Sequence, residues 1–513
     1  MVIIVMRKGR GCSMSKRLEE LLALLPQAEV RGSIDLLVKS IAHDSRKVTS
    51  DSLFICLSGS KVDGHNYIKQ ALDRGAAAIL VEKDVDCSGL TVIKVPDTRE
   101  AMIKLAPSFY DYPGRKMRMI GVTGTNGKTT TTYLIREILR QAGYRVGVIG
   151  TIQILIDDLV LPINNTTPDV IDLQAVLAEM MQSGIEYVVM EVSSHALALD
   201  RVAGCEFDVG VFTNMTRDHL DFHGSFENYA EAKAKLFGML GEKGGFKKGK
   251  SAVINVDDPI ADVMLNNADC NKFTYGIKDK ADFVAENVRI KAMGAEFTLV
   301  TSSESVPLKL GITGMFNIYN VLAAIGSTVA EGVSMGIIKK ALEAFKSVPG
   351  RFELVDAGQQ FSVIVDYAHT PDGLENILKT AREFAKQKII VLFGCGGDRD
   401  RTKRPIMGSI AAQYADIVIA TSDNPRTEDP ETILSEVEDG ITGSISADKV
   451  YKKISDRRQA IKTAINLAQE DDIVLIAGKG HETYQILKDK TIPFDDREVA
   501  REAIREMKLN GRV

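Results

Sequence analysis

No apolar run in the 513-residue chain approaches the length that carries a helix across a bilayer, so membrane insertion is not expected. Positive charge is not in excess either. Sixty-four Lys and Arg stand against 69 Asp and Glu, a net charge of −5, so no basic face for nucleic acid is advertised. Cysteine is sparse: Cys12, Cys56, Cys87, Cys205, Cys270 and Cys395 show no paired spacing. That pattern argues against a disulfide framework and a zinc site, and fits a reducing cytoplasm. There is no internal repeat and no low-complexity segment. The N-terminus, Met-Val-Ile-Ile-Val-Met-Arg-Lys, has too short an apolar run, with its charges on the wrong side, for a secretory signal. Helical pattern starts only at Met14, which is read as the true start, leaving residues 1–13 non-native or without order.

The remaining composition, 45% hydrophobic and 26% charged, is that of a soluble globular protein. Its length calls for about three domains. The most informative segment is Gly121-Val-Thr-Gly-Thr-Asn-Gly-Lys-Thr-Thr-Thr-Thr132, between a short apolar strand, Met117–Val122, and a helical stretch, Thr130–Gln141. A glycine-rich turn entering a helix gathers backbone N–H groups at the positive end of the helix dipole, where a phosphate fits. Lys128 can reach β/γ oxygens, and the Thr129 hydroxyl is placed to hold Mg²⁺. The spacing departs from the ordinary phosphate loop. Val122 holds the position of the usual first glycine, with Gly121 and Gly124 on either side.

Three blocks can be separated: 1–114, ending in the turn-rich Asp111-Tyr-Pro-Gly114; 115–348; and 349–513, after Ser347-Val-Pro-Gly-Arg351. The second and third carry near-continuous apolar strands alternating with helical patterns. In the second these are Tyr144–Ile149, Tyr187–Val192, Val209–Phe212 and Ala252–Val256. In the third they are Phe361–Val365, Lys388–Phe393, Ile417–Thr421 and Ile473–Ala477. The fold class expected is α/β, with parallel sheets covered on both faces. Ligands of such sheets bind beyond the carboxyl ends of the strands. The third block's strands run into Asp366-Tyr-Ala-His-Thr-Pro371, Gly394-Cys-Gly-Gly-Asp-Arg-Asp400, Ser422-Asp-Asn-Pro-Arg426 and Gly478-Lys-Gly-His-Glu482.

Glu191, at a strand end, is the candidate second anchor for Mg²⁺. His219 and His223 are candidate metal ligands or core residues. Five of the seven histidines (195, 219, 223, 369 and 481) fall in loops already marked by other residues, which puts function on an even footing with packing for each. Lys233 and Lys235, in the helical stretch Glu227–Leu240, read from composition alone as solvated charges. Cys395, in a glycine turn, is a candidate nucleophile, but a passive small residue is the stronger reading.

Taken in order, Gly121–Thr130, Glu191-Val-Ser-Ser-His195, Asp218-His-Leu-Asp221, Ala232-Lys-Ala-Lys235, Gly314-Met-Phe-Asn317-Ile-Tyr-Asn320 and Gly350-Arg-Phe-Glu353 resemble the ATP-dependent Mur ligases of bacterial peptidoglycan synthesis. The resemblance covers nearly all of the chain after Met14. It implies an N-terminal UDP-binding domain, a central ATPase domain and a C-terminal Rossmann-like domain that binds an amino acid. It also implies an activity: ATP phosphorylates the γ-carboxylate of a D-glutamyl end, an amine attacks the acyl phosphate, and phosphate leaves. Both reactants are anionic, so the site must supply cations, Lys128 and two Mg²⁺.

By the same resemblance Gly124, Thr125, Asn126, Gly127, Lys128, Thr129 and Thr130 bind ATP, with Asn317, Arg351, Asp366 and His369 at its far end. Thr129, Glu191, His219 and Lys233, the last carbamylated by CO₂, hold the metal, and Lys128, Lys233 and His219 are the catalytic set. His43, Ser45, Ser60, Lys61, Val62, Asn165, Thr166, Thr167, Ser193 and Arg201 hold the UDP-linked precursor, UDP-MurNAc-L-Ala-D-Glu. Arg399, Asp423, Asn424, Pro425, Arg426, Gly478 and Glu482 hold the amine substrate. In the family an Asp-Asn-Pro-Arg loop goes with meso-diaminopimelate, and the physics agrees. Its distal carboxylate can meet Arg426 and Asn424 through charge-assisted hydrogen bonds, whereas lysine would leave the guanidinium unpaired. A cytoplasmic monomer is expected. The alternatives are an L-lysine-adding relative, a folate-extending ligase, and a nucleotide switch that hydrolyses ATP without an amino acid.

Overall fold

The computed structural model describes residues 14–509 apart from 60, 61, 88, 164, 242–244, 292 and 293. Residues 1–13, and with them the question of the start at Met14, lie outside the described residues, as do Ser60 and Lys61. The chain gathers into two compact units. One holds Met1–Gly124, Leu139–Phe273 and Ala330–Gly332; the other holds Thr125–Ile138, Thr274–Val329 and Val333–Val513. Among the described residues no helix is long and apolar enough to cross a membrane.

Two sheets position the candidate residues of the first unit. Its N-terminal sheet runs in the order Glu29–Arg31, Thr91–Lys94, Ala76–Val81, Ser52–Ile55, Ser40–Ala42. The last four are parallel and the first is antiparallel to its neighbour. The second sheet places Val146–Ile149, Tyr187–Glu191, Arg118–Thr123, Val209–Phe212 and Ser251–Asn255 side by side, all parallel. Apart from half-buried Arg118, every residue of these five strands is buried. Their unbroken apolar runs reflect coverage on both faces. Parallel pairing brings Glu191 beside Val122 and Phe212 beside Thr123, so three strand ends meet where the phosphate loop begins.

The second unit is built on six strands in the order Glu353–Leu354, Ser362–Asp366, Ile473–Ala477, Ile389–Phe393, Ile417–Ala420, Val450–Lys453. All but the first are parallel. Alternate residues feed two cores. Ile364, Val391, Val418 and Leu475 join helices Pro371–Phe384, Lys403–Tyr414 and Pro430–Thr442, whereas Val363, Ile390, Ile419 and Val474 join Arg457–Leu467 and Asp496–Leu509. That is the period of two of a strand read on both faces. Four strand ends of this sheet therefore open into the polar loops singled out in the sequence.

Candidate active site

In the first unit, Glu191 is 1% exposed and is held from one side. The Thr151 backbone N–H donates to its Oε1 at 2.8 Å and the Thr151 hydroxyl to its Oε2 at 2.9 Å. Gly150 makes room for this carboxylate, because a Cβ there would overlap it. The same Thr151 hydroxyl lies 3.0 Å from that of Thr166. Thr167, buried, donates to the Glu191 carbonyl at 2.8 Å and accepts from the Ser193 N–H at 3.1 Å. Ser193 in turn caps the short helix Ser194–Ala198. Asn165 is exposed.

Arg201 reaches the Thr167 carbonyl at 3.4 Å and lies 4.0 Å from Asp169, to which Arg99 donates at 2.9 Å. Burial leads the effects on the Arg201 guanidinium and lowers its pKa, with Asp169 opposing. Burial likewise lowers the pKa of His43, against the pull of Asp169 and Asp172. Lys47 holds Asp172 at 2.7 Å, and Ser45 donates to Gln70 at 2.7 Å. Val62 is 56% exposed.

A ring cluster surrounds Lys233, which is 1% exposed. Its Nζ lies 4.3 Å from the centre of the Tyr229 ring, and Tyr229 packs against His223 at 5.0 Å. Composition alone suggested a solvated Lys233; the helix Phe226–Gly238 instead turns it inward, while Lys235 is exposed. His223 is buried with Nε2 3.0 Å from the Ser194 hydroxyl, the role of a satisfied core residue. His219 is exposed, has left-handed backbone (φ 54°), and packs edge-on against His195 at 4.7 Å. Burial and the two neighbouring histidines hold His195 down to about 4, so its ring is neutral near pH 7.

In the second unit the phosphate loop has Gly127 at φ 86°, against the Asn320 carboxamide that a Cβ would overlap. Lys128 Nζ donates to the Thr125 carbonyl at 2.8 Å. Asn126 donates to Asp372 at 2.9 Å, and Arg351 donates to the Thr129 hydroxyl at 3.2 Å. Thr130 is buried. The helix begins at Lys128 rather than Thr130, so the lysine stands at its positive end. Asn317 and Asn320 are buried and joined, Asn320 donating to Asn317 at 3.0 Å and Asn317 to the Thr313 carbonyl at 2.8 Å. Asp366 accepts from the backbone N–H groups of Phe352 and Ala368 at 2.6 and 2.7 Å, so both its oxygens shape the loop. Burial raises its pKa, opposed by Arg351. His369 is exposed, with Nδ1 2.9 Å from the Tyr367 carbonyl.

The residues expected to hold the amine substrate also sit in the second unit. Arg426 has left-handed backbone (φ 53°) and donates to the Gly397 carbonyl at 2.8 Å. Asn424, 3% exposed, donates to Glu482 at 2.9 Å and accepts from Lys479 and the Ile486 N–H, each at 2.9 Å. Its carboxamide therefore braces the loop, leaving one amide hydrogen for a ligand. Pro425 is buried, and its carbonyl occupies the space a Cβ on Gly397 would take. Arg399 is exposed. Gly478 has φ 117° and looks onto Asp423. Burial first, then Asp423, raises the Glu482 pKa. Cys395 is buried with its thiol pushed up to about 12, which removes it as a nucleophile.

Among the described residues no three or more His, Cys, Asp or Glu side chains group as a metal site. The donors expected here are of another kind, a Thr hydroxyl and a lysine carbamate beside one carboxylate and one imidazole. Glu191, a buried carboxylate held by the neutral donors of Thr151, is the kind of hard oxygen ligand that fits Mg²⁺.

Three family models match successive stretches: "Mur ligase family, catalytic domain" over residues 37–110, "Mur ligase middle domain" over 122–328, and "Mur ligase, glutamate ligase domain" over 350–480. The chain belongs to the Mur ligase family. It is an enzyme of the ligase class with an α/β fold. This Mur ligase is 49% identical over 490 residues to the UDP-N-acetylmuramoyl-L-alanyl-D-glutamate–2,6-diaminopimelate ligase of Geobacillus thermodenitrificans, covering 96% of the chain and 99% of the relative. It is 48% identical over 479 residues to the protein of the same name from Clostridium botulinum, covering 92% and 96%. Among solved structures, one described as that same ligase superposes with a TM-score of 0.68 at 34% identity, covering 96% of this chain and all of the other.

Several residues around the candidate site escaped the sequence reading. Thr151 grips both oxygens of Glu191, Arg99 shares Asp169 with Arg201, and Tyr229 faces Lys233. None stands in a motif that marks it. Lys479 was inside a loop already singled out, but its complete burial carried no signal in the sequence.

Proposed function

We propose that this Mur ligase joins meso-diaminopimelate to UDP-MurNAc-L-Ala-D-Glu at the cost of ATP, releasing ADP and phosphate, as a cytoplasmic monomer serving peptidoglycan synthesis. The observation that carries this reading is near full-length identity of 49% to a protein named for that reaction, supported by Arg426, which ends the Asp423–Arg426 loop and donates to the Gly397 carbonyl. The three successive blocks, 1–114, 115–348 and 349–513, serve the UDP-precursor, ATP and the amino acid in turn.

Lys128 neutralises the transferring phosphoryl group at the helix N-terminus as the γ-carboxylate of the D-glutamyl residue attacks the γ-phosphorus, the bridging P–O bond breaks and ADP leaves with its electron pair. The amine of diaminopimelate then adds to the acyl carbon, phosphate leaves with the bonding pair, and the amine loses a proton. Thr129, Glu191, His219 and a carbamate on Lys233 would hold two Mg²⁺, which when bound offset the repulsion between anionic reactants. Thr166, Thr167, Ser193 and Arg201 orient the dipeptide, and His43 and Ser45, with Ser60, Lys61 and Val62, the uridine diphosphate. Arg426 pairs with the distal carboxylate of the diamino acid, and Asp423 and Glu482 with its ammonium groups.

Phosphate release with the UDP-precursor, with and without each diamino acid, tests the proposal. Release should require both the precursor and diaminopimelate, with L-lysine slower by as much as ~10⁴-fold. Equal rates with lysine would make it a lysine-adding ligase. Release that ignores amino acids altogether would make it a nucleotide switch and end the proposal.

A further inference from the structure

Lys479 is the one long cationic side chain of the amine loops that is shut off from solvent, at 0% exposure. Glycines at positive φ flank it, Gly478 at 117° and Gly480 at 52°, and they let the backbone turn so that the lysine runs inward. Its Nζ lies 2.9 Å from Asn424 Oδ1, 2.9 Å from the Tyr484 carbonyl, 3.3 Å from Asp423 Oδ1 and 3.4 Å from Glu482 Oε2. One ammonium thus joins the Asp423–Arg426 loop, the Gly478–Glu482 loop and the strand Tyr484–Ile486. We propose that Lys479 is a positioning residue that fixes Asp423, Asn424 and Glu482 as a receptor for the ammonium end of the incoming amino acid. This rests on the function proposed above.

The charge balance gives the lysine its role. One buried cation faces two carboxylates, so the cluster retains one negative charge for an ammonium group. Without Lys479 the carboxylates would face each other unscreened, and one would take up a proton. Glu482 is the member that would yield, since burial and Asp423 already raise its pKa and Lys479 opposes them. The other charged or titratable groups that bear on these two carboxylates are Tyr367, Tyr484, Arg457, Lys403, His369 and Cys395. Arg457 is engaged by Asp496 at 2.6 Å and Lys403 by the His369 carbonyl at 2.7 Å, while burial keeps both tyrosines, the His369 ring and the Cys395 thiol neutral near pH 7, so none replaces Lys479.

The full-length enzyme with Lys479→Met, and separately Lys479→Met with Glu482→Gln, provides the test. For Lys479→Met, KM for diaminopimelate should rise tenfold or more, while KM for ATP and for the UDP-precursor moves less than twofold. The acid limb of kcat/KM for diaminopimelate should move up by a pH unit or more, because Glu482 must now lose a proton held more tightly. In the double variant that displaced limb should disappear while KM stays high. A loss shared equally by all three substrates, an unmoved acid limb, or failure of both variants to fold would assign Lys479 to stability alone and overturn the proposal. If the unaltered enzyme does not use diaminopimelate, the functional reading fails instead, and the two failures are told apart.

Discussion

Arg426 combines a side chain suited to a carboxylate with a backbone angle, φ 53°, that L-residues with a Cβ rarely adopt. Such a conformation costs about 1–2 kcal/mol, while the bond from Arg426 to the Gly397 carbonyl, at 2.8 Å, returns about 1 kcal/mol. Arg426→Gly removes the strain and the bond together, so unfolding stability should stay within about 1 kcal/mol of the starting protein. Recognition should not survive, because the distal carboxylate of diaminopimelate loses its guanidinium partner. kcat/KM for diaminopimelate should fall on the order of 10²-fold or more, with L-lysine much less affected. Denaturant melts and paired kinetics check this. A drop in stability of several kcal/mol, or equal losses for both amino acids, would mean that Arg426 shapes the loop and does not read the substrate.

At the scale of elements, the helix Phe226–Gly238 shows what packing adds to pattern. Ser225 caps it by accepting from the Asn228 N–H at 3.1 Å, and its inner face places Lys233 over Tyr229. A lysine shut from water is costly as a cation, and the neutral amine is the form that captures CO₂. In protein equilibrated with ¹³C-bicarbonate, a carbamate resonance should appear and be absent from Lys233→Ala. An identical spectrum for the two, or normal activity of that variant at low bicarbonate, would end the assignment.

The strands were legible because burial on both faces leaves continuous apolar runs. Val209–Phe212 and Ile473–Ala477 match their expected bounds, and Tyr187–Glu191 ends one residue before the expected Val192. The strand-to-helix turn was legible from Gly127-Lys-Thr, and the helix does open there, at Lys128. What could not be read were side chains whose role depends on a distant neighbour. Nothing local to Thr151, Arg99 or Lys479 announces that they hold Glu191, Asp169 and the Asp423–Asn424 pair. Nor did the sequence reveal that Asp366 and Asn424 are largely engaged by their own surroundings.

For the molecule as a whole, the two compact units divide the candidate residues unevenly. Thr125–Thr130, Asn317, Arg351 and the Asp423–Glu482 loops lie in one unit, whereas His43, Ser45, Thr166, Thr167, Glu191 and Lys233 lie in the other. A ligand that binds only the folded state stabilises whatever part of the chain unfolds with its site, by ~2.7 kcal/mol at a hundredfold excess over Kd. If the units melt separately, diaminopimelate and metal-free ATP should raise the transition of the unit carrying their loops, and the UDP-precursor should act on the other. If the chain melts in one step, each ligand should raise that single midpoint. The shift per kcal/mol should be smaller than the ~2–4 °C of a 150–250-residue domain, because a 513-residue chain has the larger unfolding entropy. L-lysine at the same concentration should leave the midpoint where it was, because its side chain has no carboxylate for Arg426. Calorimetric scans with each ligand alone, before any turnover is possible, decide the matter. A lysine shift equal to that of diaminopimelate would mean that the loop recognises only what the two amino acids share.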